Sequence, residues 1–347
     1  MKYVGLDVHE RTTTWCVLDG NGEVISRGRV GTVAEELRKL IGSLGDPEQL
    51  RLGQEIGPMC QYVYDALSPT GAQVLSFNAY HLKMICSSRK KSDRRDSYWI
   101  AKALQTGMTP FPVYIPQGEL RELRSLLAQR ECLKAERMRW LLRARSLLVS
   151  QGYRAPQGVR APKLVQMALR SPEGLASHVV DGVERCERLR AHLEEELGLL
   201  DMELSRRAAE LPDVQRLRTI PAVGERVALA MVAAIGDVKR FSNARQLCAY
   251  AGLVPSVRQS GDSCITGHIT GDGNPALRAK LIQAGHVLLW NCKSEAAKPL
   301  QAAAQRILTH EGRKKVAVVA AARFILRTAF YVLRDKTSYE PRRLKAA

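Results

Sequence analysis

The sequence predicts an α/β domain over residues 1–117, a helical spacer over 118–211 and a mostly α-helical domain over 212–347. The first hundred residues contain short apolar runs bounded by turn residues, as strands do. Two long stretches rich in Leu, Arg and Glu follow, and this composition is typical of long charged helices. The last third contains shorter helical patterns separated by Pro and Gly. These three observations set the fold class.

The N-terminal region shows hairpin signals first and alternating strands and helices afterwards. The turn Asp19-Gly-Asn-Gly22 favours a β-hairpin between the second and third strands. This order predicts a mixed sheet flanked by helices. The expected elements are strands at 2–8, 13–19 and 23–30, a helix at 33–44, a strand ending at Glu55, a helix near 62–67, a strand near 73–75, and helices near 80–87 and 93–106.

The spacer has the pattern of two long helices, at 118–150 and 175–211. A linker that contains Pro, Gly and a short helix joins them near 152–174. In the second helix, leucines recur at spacings of four, four, three and four, as in a coiled-coil seam. They are Leu189, Leu193, Leu197, Leu200 and Leu204. The same spacing also suits an amphipathic helix packed within one chain, so both alternatives stay open.

The C-terminal region begins at Pro212, which ends the second long helix. The turn Thr219–Arg226 leads into a helix at 227–235 and is similar to a helix-hairpin-helix phosphate clamp, although a plain turn between helices is the alternative. An amphipathic helix that runs into a glycine stop is expected within 241–255, and a polar, glycine-rich stretch follows over 256–275. Two helices, at about 276–290 and 314–334, are expected to close the chain.

Charge is the most unusual property of the composition. The chain has 53 Lys and Arg against 35 Asp and Glu, a formal net charge of +18 and a pI near 9.8. Such an excess of positive charge indicates a polyanionic partner. A membrane surface is the rival partner, but Arg323 and Arg327 interrupt the longest apolar stretch, Val316–Leu333. That pattern predicts a soluble helix with a basic face and no membrane partner.

Two further sequence features indicate the cellular compartment. Asp7 and His9 break the apolar opening, which argues against a signal peptide. The eight cysteines are scattered, with no Cys-x-x-Cys pair that would indicate a zinc site or a disulfide framework. Reduced, mostly buried thiols in a cytoplasm are expected.

Four acids in the first hundred residues are candidates for a metal site. Asp7 interrupts an apolar strand, where an unpaired carboxylate is costly. Glu55 ends another strand, and Asp93 and Asp96 stand three residues apart where a helix begins, so both can face one point. Carboxylates that converge from strand ends and a helix suit Mg²⁺ and the two-metal arrangement that cuts phosphodiesters.

Each acid also has an ordinary structural interpretation. Asp96 could pair with Arg95 or Lys102, Asp93 could cap its helix, and Glu55 could simply be solvated. Asp7 has the weakest structural explanation, because its strand is otherwise apolar.

Two sets of motifs resemble one known family. Gly5-Leu-Asp-Val-His9, Glu55-Ile-Gly57 and Lys91-Ser-Asp-Arg-Arg-Asp96 resemble the N-terminal domain of the insertion-sequence-110 transposases. That domain is named for its Asp-Glu-Asp-Asp set and is similar to the Holliday-junction resolvase RuvC, with an RNase H-like fold. The C-terminal set resembles the transposase domain of the same family: Ile220-Pro-Ala-Val-Gly224, Arg240-Phe241, Ala249-Tyr-Ala-Gly-Leu-Val-Pro255, Ser260-Gly261 and Gly273-Asn-Pro-Ala-Leu-Arg278.

The resemblance implies a chemistry and a set of partners. Asp7, Glu55, Asp93 and Asp96 would hold the metal, and Ser260 would be the nucleophile that bonds covalently to DNA, with Gly261 leaving room for a phosphate. Family members are implied to pair as dimers into tetramers, with each active site combining the acids of one chain and the serine of another. A structured guide RNA would pair with donor and target DNA. The protein would be associated with the nucleoid when bound.

Residues expected to contact nucleic acid are basic side chains, turn glycines and helix-start residues. They are Arg89, Lys90, Lys91, Arg94, Arg95, Gly224, Arg258, Gly261, Asn274, Arg278, Arg313, Lys314 and Lys315.

Three positions depart from the family pattern. Ala222 replaces the usual glycine of the clamp turn, Glu55-Ile-Gly57 shortens an Ala-Thr-Gly motif, and Gly271-Asp272 stand where a basic residue is common. None removes an expected catalytic group, but each bears on local contacts to DNA or RNA.

Three functions therefore remain open from the sequence. The first is a recombinase that acts through Ser260, and the second is a metal-dependent junction nuclease in which that serine is only structural. The third is a non-catalytic protein that binds nucleic acid through its basic helices. A covalent link between protein and DNA separates the first from the second, and metal-dependent strand cleavage excludes the third.

Overall fold

The computed structural model describes residues 1–85, 92–260, 263–270 and 272–341. The chain divides into two compact units, Met1–Pro116 and Gln117–Ala347. Arg89, Lys90, Lys91 and Gly261, which were expected to contact nucleic acid, lie outside the described residues.

The first unit is a five-stranded sheet with helices on both faces. The strand order is β3-β2-β1-β4-β5; β2 is antiparallel to both β1 and β3, and β4 and β5 run parallel to β1. This confirms the predicted hairpins and the mixed α/β sheet. The elements are β1 (Lys2–Val8), β2 (Thr12–Leu18), β3 (Val24–Gly31), α1 (Ala34–Ser43), β4 (Leu50–Glu55), α2 (Cys60–Leu67), β5 (Gln73–Phe77), α3 (Ala79–Ile85) and α4 (Asp93–Thr106).

The two faces of the sheet are covered differently. Alternate residues such as Val4 and Leu6 are fully buried against α1 and α2. On the opposite face, Gly5 has no side chain, and a Cβ there would lie 1.9 Å from the backbone oxygen of Ser97 on α4. Gly53, opposite Gly5 on β4, faces Ile100 of the same helix. These two glycines allow α4 to approach the centre of the sheet closely.

The second unit is mostly helical. Its helices are α5 (Gly118–Ser150), α6 (Ala161–Arg170), α7 (Ser177–Glu210), α8 (Pro212–Arg218), α9 (Glu225–Ile235), α10 (Ala244–Tyr250), α11 (Pro275–Trp290), α12 (Lys298–Glu311) and α13 (Lys314–Asp335), and its two strands are β6 (Pro255–Ser260) and β7 (Ser263–Ile269). One apolar core joins α8 to α13 with parts of α5 and α7, and a smaller one lies between α5, α6 and α7.

The two long helices of the predicted spacer pack against each other in antiparallel fashion. Successive ion pairs join Glu122 to Arg207 and Arg130 to Asp201. Along the predicted leucine seam of α7, Leu197 and Leu204 are buried, whereas Leu189 is 42% exposed. The observed partner of α7 is therefore α5 of the same chain, and a coiled coil between chains stays a prediction.

The C-terminal region differs from the prediction at two places. The polar stretch 256–275, for which no strand was expected, contains the hairpin β6–β7; its described side chains are mostly exposed and so give no clear apolar alternation. Helix α12 was not predicted, and its buried face includes the small residue Ala304 beside Leu300. The predicted amphipathic helix that runs into a glycine is the short α10, which ends at Tyr250 shortly before Gly252.

Helix α13 is both long and apolar. Its length and composition would suffice to cross a membrane, but 61% of its most apolar window is buried inside the protein. Its buried residues, among them Ile325 and Leu326, pack in the main core of the second unit.

Candidate functional site

Strand register aligns the candidate residues in one row across the sheet. Asp7 on β1 lies opposite Thr14 on β2, and Thr14 lies opposite Arg29 on β3. On the other side of β1, Leu6 pairs with Gln54 on the parallel strand β4. Asp7 and Glu55 are the next residues of these two strands. Because side chains alternate along a strand, Asp7 and Glu55 share the faces of Gly5 and Gly53, against which α4 packs.

The start of α4 supplies the other two acids. Ser92 precedes the helix in an extended conformation, and Asp93 and Asp96 occupy the first helical turn. Asp93 is thus the first helical residue rather than the cap. Acidic residues are favourable at this end of a helix, because the macrodipole is positive there.

Three side chains meet at this point. His9 Nε2 lies 3.3 Å from Asp7 Oδ2 and 3.9 Å from Asp93 Oδ1. One ligand atom from each of Asp7, His9 and Asp93 lies within 4.8 Å of the other two. Asp93 also accepts a hydrogen bond of 2.8 Å from Arg29 Nη2. The fold therefore brings together side chains from β1 and the residue just after it, from β3 and from α4.

The environment of Asp7 disfavours its negative charge. Burial is the largest cause that raises the pKa of the Asp7 carboxyl above its ordinary value of 3.8. The charges of Asp93 and Asp96 raise this pKa further, whereas His9 lowers it through its charge and its hydrogen bond. Neighbouring carboxylates that repel one another are stabilised by a cation between them.

The residues present fit a divalent cation. Carboxylate oxygens are the ligands of hard ions such as Mg²⁺, and Asp7 and Asp93 supply them at close range. Thr14, in register with Asp7, has a buried hydroxyl with no hydrogen-bond partner among the described residues. His9 departs from an all-oxygen set, since imidazole is more typical of transition metals.

The other two predicted acids lie close to this group. Asp96 is half-buried one helical turn after Asp93, and its charge reaches Asp7. Glu55 is exposed at the end of β4. The structure thus places all four acids at one end of the sheet, and Asp7 and Asp93 form one cluster with His9.

Ser260 lies in the second unit, at the end of β6. It is exposed and pairs with Ser263 across the hairpin, and Ser263 Oγ donates a hydrogen bond of 2.8 Å to the backbone oxygen of Ser260. Its neighbour Gly261 is outside the described residues. A serine at an exposed hairpin end is accessible to a large substrate such as DNA.

Comparison with known proteins identifies both regions. A model of the DEDD transposase domain of IS110-type elements matches residues 4–151, and a model described as "Transposase IS116/IS110/IS902 family" matches residues 214–301. The chain belongs to the IS110 family of transposases. The predicted resemblance is confirmed, and the acids and Ser260 lie in the two matched regions, respectively.

Individual relatives are similar over most of the chain. The transposase for insertion sequence element IS1111A of Coxiella burnetii is 28% identical over 86% of this chain and 80% of that protein. The transposase for IS1328 of Yersinia enterocolitica is 24% identical over 79% of this chain and 80% of its own length. A pilin gene-inverting protein of Moraxella bovis is 29% identical over 36% of this chain and 38% of its own length.

In this IS110-family chain, the turn that was expected to bind a phosphate has alanine, Ala222, at the position where the family usually has glycine. Ala222 has a φ of 66°, in the left-handed region that glycine favours. Gly224 caps α9 without a side-chain hydrogen bond, and Glu225 follows it and accepts a hydrogen bond from Ser205. An acid in the first turn weakens the attraction of this helix end for a phosphate.

Several residues expected to contact nucleic acid have partners inside the protein. Asn274 caps α11 by accepting a hydrogen bond of 3.0 Å from the Leu277 amide. Arg278 donates to the backbone oxygens of Asp272 and Ala251. Arg94 and Arg95 are exposed on α4, and Arg258 is exposed on β6. Nucleic-acid contact stays a prediction for all of them.

Two basic residues beside the acids, His9 and Arg29, were not predicted as part of this site. His9 was treated only as a break in the apolar opening, although strand alternation places it on the face of Asp7. Arg29 gave no local signal, because only the register of three strands brings it level with Asp7. A search for polar residues two positions apart on the strand would have found His9.

Proposed function

We propose that this transposase recombines DNA through a divalent-metal site at Asp7, Glu55, Asp93 and Asp96 and a covalent intermediate at Ser260. The Asp7–His9–Asp93 cluster carries this proposal, because it assembles repelling carboxylates at the end of a sheet in the region matched by the DEDD transposase model. Mg²⁺ is the expected ion because it prefers carboxylate oxygens, and the convergence of four carboxylates favours two such ions.

The residues of the first unit position the acids. Arg29 holds one oxygen of Asp93 and leaves the other toward His9 and Asp7. The buried Thr14 hydroxyl lies beside Asp7, where it can donate a hydrogen bond to a group at the site. The chemistry that a divalent cation supplies in such a site is stabilisation of the charge that develops on a phosphoryl group.

Ser260 acts as the nucleophile in this proposal. Its Oγ attacks a DNA phosphorus, a new O–P bond forms, and one deoxyribose oxygen leaves as a hydroxyl group that takes up the serine proton. A hydroxyl end of another strand then attacks the phosphoserine, which restores a phosphodiester and returns the proton to Ser260. No hydrolysis occurs, so strands are exchanged rather than broken. The exposed hairpin position of Ser260 supports this role.

The net charge of the chain and its similarity to other transposases support DNA, guide RNA and further copies of the same chain as partners. A net charge of +18 suits long DNA segments and the structured guide RNA implied by the family. The name of the Moraxella relative, a gene-inverting protein, agrees with strand exchange between DNA sites. We propose a dimer that pairs into a tetramer, in which the acids of one chain act with the serine of another.

The experiment that tests the nucleophile is a trapping assay. The reaction with element-end DNA, target DNA and guide RNA is stopped with denaturant, and labelled DNA that co-migrates with protein is measured. Wild type should give an adduct, and Ser260→Ala should give none while it still binds DNA.

Ser263→Ala and Ser256→Ala are the matched controls, since both serines lie in the same hairpin region and should leave adduct formation largely intact. An adduct formed by the Ser260→Ala protein would remove Ser260 from the role of nucleophile. Metal-dependent cleavage without any adduct would instead indicate a nuclease that uses water.

A further inference from the structure

The second unit contains a large cavity that the proposed chemistry does not use. It has a volume of about 1260 Å³ and lies between the β6–β7 hairpin, α11, α12 and the start of α13. Drug-sized ligands usually occupy about 300–1,000 Å³, so this space can hold a ligand larger than one nucleotide. The helices that form its walls also pack in the main core of this unit.

One side of the cavity is strongly basic. Arg313, Lys314 and Lys315 stand together where α13 begins, and Arg323 lies two turns further along the helix. No acidic side chain is found among the described residues that line the cavity. The charge of this wall is complementary to a chain of phosphates.

The other side of the cavity is aromatic and apolar. Trp290, the last residue of α11, is 44% exposed, and its ring centre lies 4.6 Å from that of His286. Ile282 and Ile307 add apolar surface beside them. An exposed indole held against a second ring offers a flat surface on which an unpaired base can stack.

We infer that this cavity binds an unpaired single-stranded segment of nucleic acid, with a base stacked on Trp290 and phosphates on Lys314 and Lys315. A basic wall that faces an aromatic surface is the combination that recognises single strands without reading their sequence. Duplex DNA does not fit this site, because its bases have no free faces. The inference rests on the proposed function only in taking nucleic acid as the partner, and it requires neither the metal nor Ser260.

The first test measures binding of a fluorescent twelve-residue oligothymidylate by anisotropy, in EDTA and in the Ser260→Ala background. Trp290→Ala should weaken binding about 5- to 150-fold, the effect of losing one stacked base. Trp290→Phe should retain most of the affinity, because phenylalanine also stacks. Binding of a twelve-base-pair duplex should change little in both variants.

The second test removes the charges. Lys314→Gln with Lys315→Gln should reduce the slope of log K against log salt by about 1.4, since each phosphate contact on a single strand contributes about 0.7. Lys163→Gln with Arg170→Gln, two exposed charges on α6, is the matched control and should leave the slope unchanged.

A third measurement does not depend on variants that might fail to fold. Wild-type protein is crosslinked by light to the same oligonucleotide carrying 5-iodouracil, and the attached peptide is mapped by mass spectrometry. Attachment at Trp290 or His286 is expected.

Three results would overturn the inference. The first is oligothymidylate affinity unchanged in Trp290→Ala together with crosslinks only outside the cavity. The second is an equal loss of duplex binding in that variant, which would indicate a surface for double-stranded DNA. The third is binding of wild type to anionic phospholipid vesicles but not to oligothymidylate. Because none of these assays requires a metal or a covalent bond at Ser260, a failure of the proposed recombination chemistry would not affect them.

Discussion

Two groups of carboxylates in this protein have opposite electrostatic surroundings. In the first unit, Asp7 lies beside Asp93, and burial together with the acidic neighbours raises the pKa of Asp7. In the second unit, Asp201 lies between Arg130 and Arg226, which both donate hydrogen bonds to it. Burial alone would raise the pKa of Asp201, but these bonds and the arginine charges outweigh it and lower that pKa.

This difference in pKa shift distinguishes the candidate metal site of the first unit from a network of ion pairs in the second unit. Glu131 behaves like Asp201: burial opposes its charge, but hydrogen bonding and charge from Lys280 lower its pKa. Lys280 is on α11, so these pairs connect α5 and α7 to the C-terminal helices. Asp7 and Asp93 have less compensation, because within the part of the chain that the structure describes their ion pairs are with Arg29 and His9 only, and His9 is charged only when it is protonated. Unbalanced charge of this kind is typical of functional sites.

The largest expected effect comes from removing an acid of the first group. Asp7→Asn should lower recombination by more than about 100-fold, since even the loss of residues that only support metal ligands costs about 10–100-fold. The fold should be retained, because the change removes a buried charge that its neighbours repel. Recombination of a reporter plasmid and thermal unfolding measure the two properties.

Asp181→Asn, an exposed acid on α7, is the control for this change and should be neutral in both assays. Near-normal recombination by Asp7→Asn would exclude Asp7 from the active site.

Removal of Asp201, in the second group of carboxylates, should affect stability rather than recombination. Asp201→Ala should reduce the free energy of unfolding by about 1–3 kcal/mol, because Arg130 and Arg226 lose their hydrogen-bonded acceptor. Recombination should fall only as far as stability does. Urea unfolding measures the loss, with Glu184→Ala as control: its exposed pair with Arg188 on the same helix is worth about 0.3–0.5 kcal/mol.

The pH dependence of this loss follows from the lowered pKa of Asp201. A carboxyl whose pKa is lower in the folded state stabilises the fold at pH values above its pKa in the unfolded chain, which is 3.8. That contribution disappears as the pH falls through the lower folded pKa. The difference between wild type and Asp201→Ala should therefore be constant near pH 7 and shrink below about pH 4. A difference that grows toward acid would contradict the structural role of this pair.

The smallest effect is expected at Ala222. Ala222→Gly should increase the free energy of unfolding by up to about 1 kcal/mol, because alanine is strained at the φ of 66° found there and glycine is not. The greater entropy of glycine in the unfolded chain offsets part of this gain. Urea unfolding checks it, with Gly198→Ala on α7 as a helical reference that should also stabilise. Destabilisation by Ala222→Gly would show that the strain is absent.

Much of the first unit could be predicted because its signals are local. Apolar alternation and turn residues placed β1 to β5, and the apolar context of Asp7 marked it as unusual. The convergence of Asp7 and Asp93 followed from strand ends and a helix start. Arg29 could not be predicted, since its position depends on the register of three strands, which no local pattern of residues reveals.

The C-terminal hairpin and the cavity were harder to predict for a physical reason. Strands β6 and β7 bury no face, so Arg258, Gln259 and Ser260 show no apolar period. The cavity joins residues far apart in sequence, such as His268 and Lys315, and depends on packing between helices. Ser260 was found only through its resemblance to a known motif, because an exposed loop serine carries no physical signal of its own.

Binding of Mn²⁺, a stand-in for Mg²⁺, tests the contrast between the two acidic groups most directly. Titration of the full-length protein without nucleic acid, followed by electron paramagnetic resonance of free Mn²⁺, should show binding by wild type and by Asp201→Asn. Asp7→Asn and Asp93→Asn should each lose this binding, although both remain folded. Equal Mn²⁺ affinity in wild type and Asp7→Asn, or loss of binding in Asp201→Asn, would contradict the assignment of the metal to the acids at the end of the sheet.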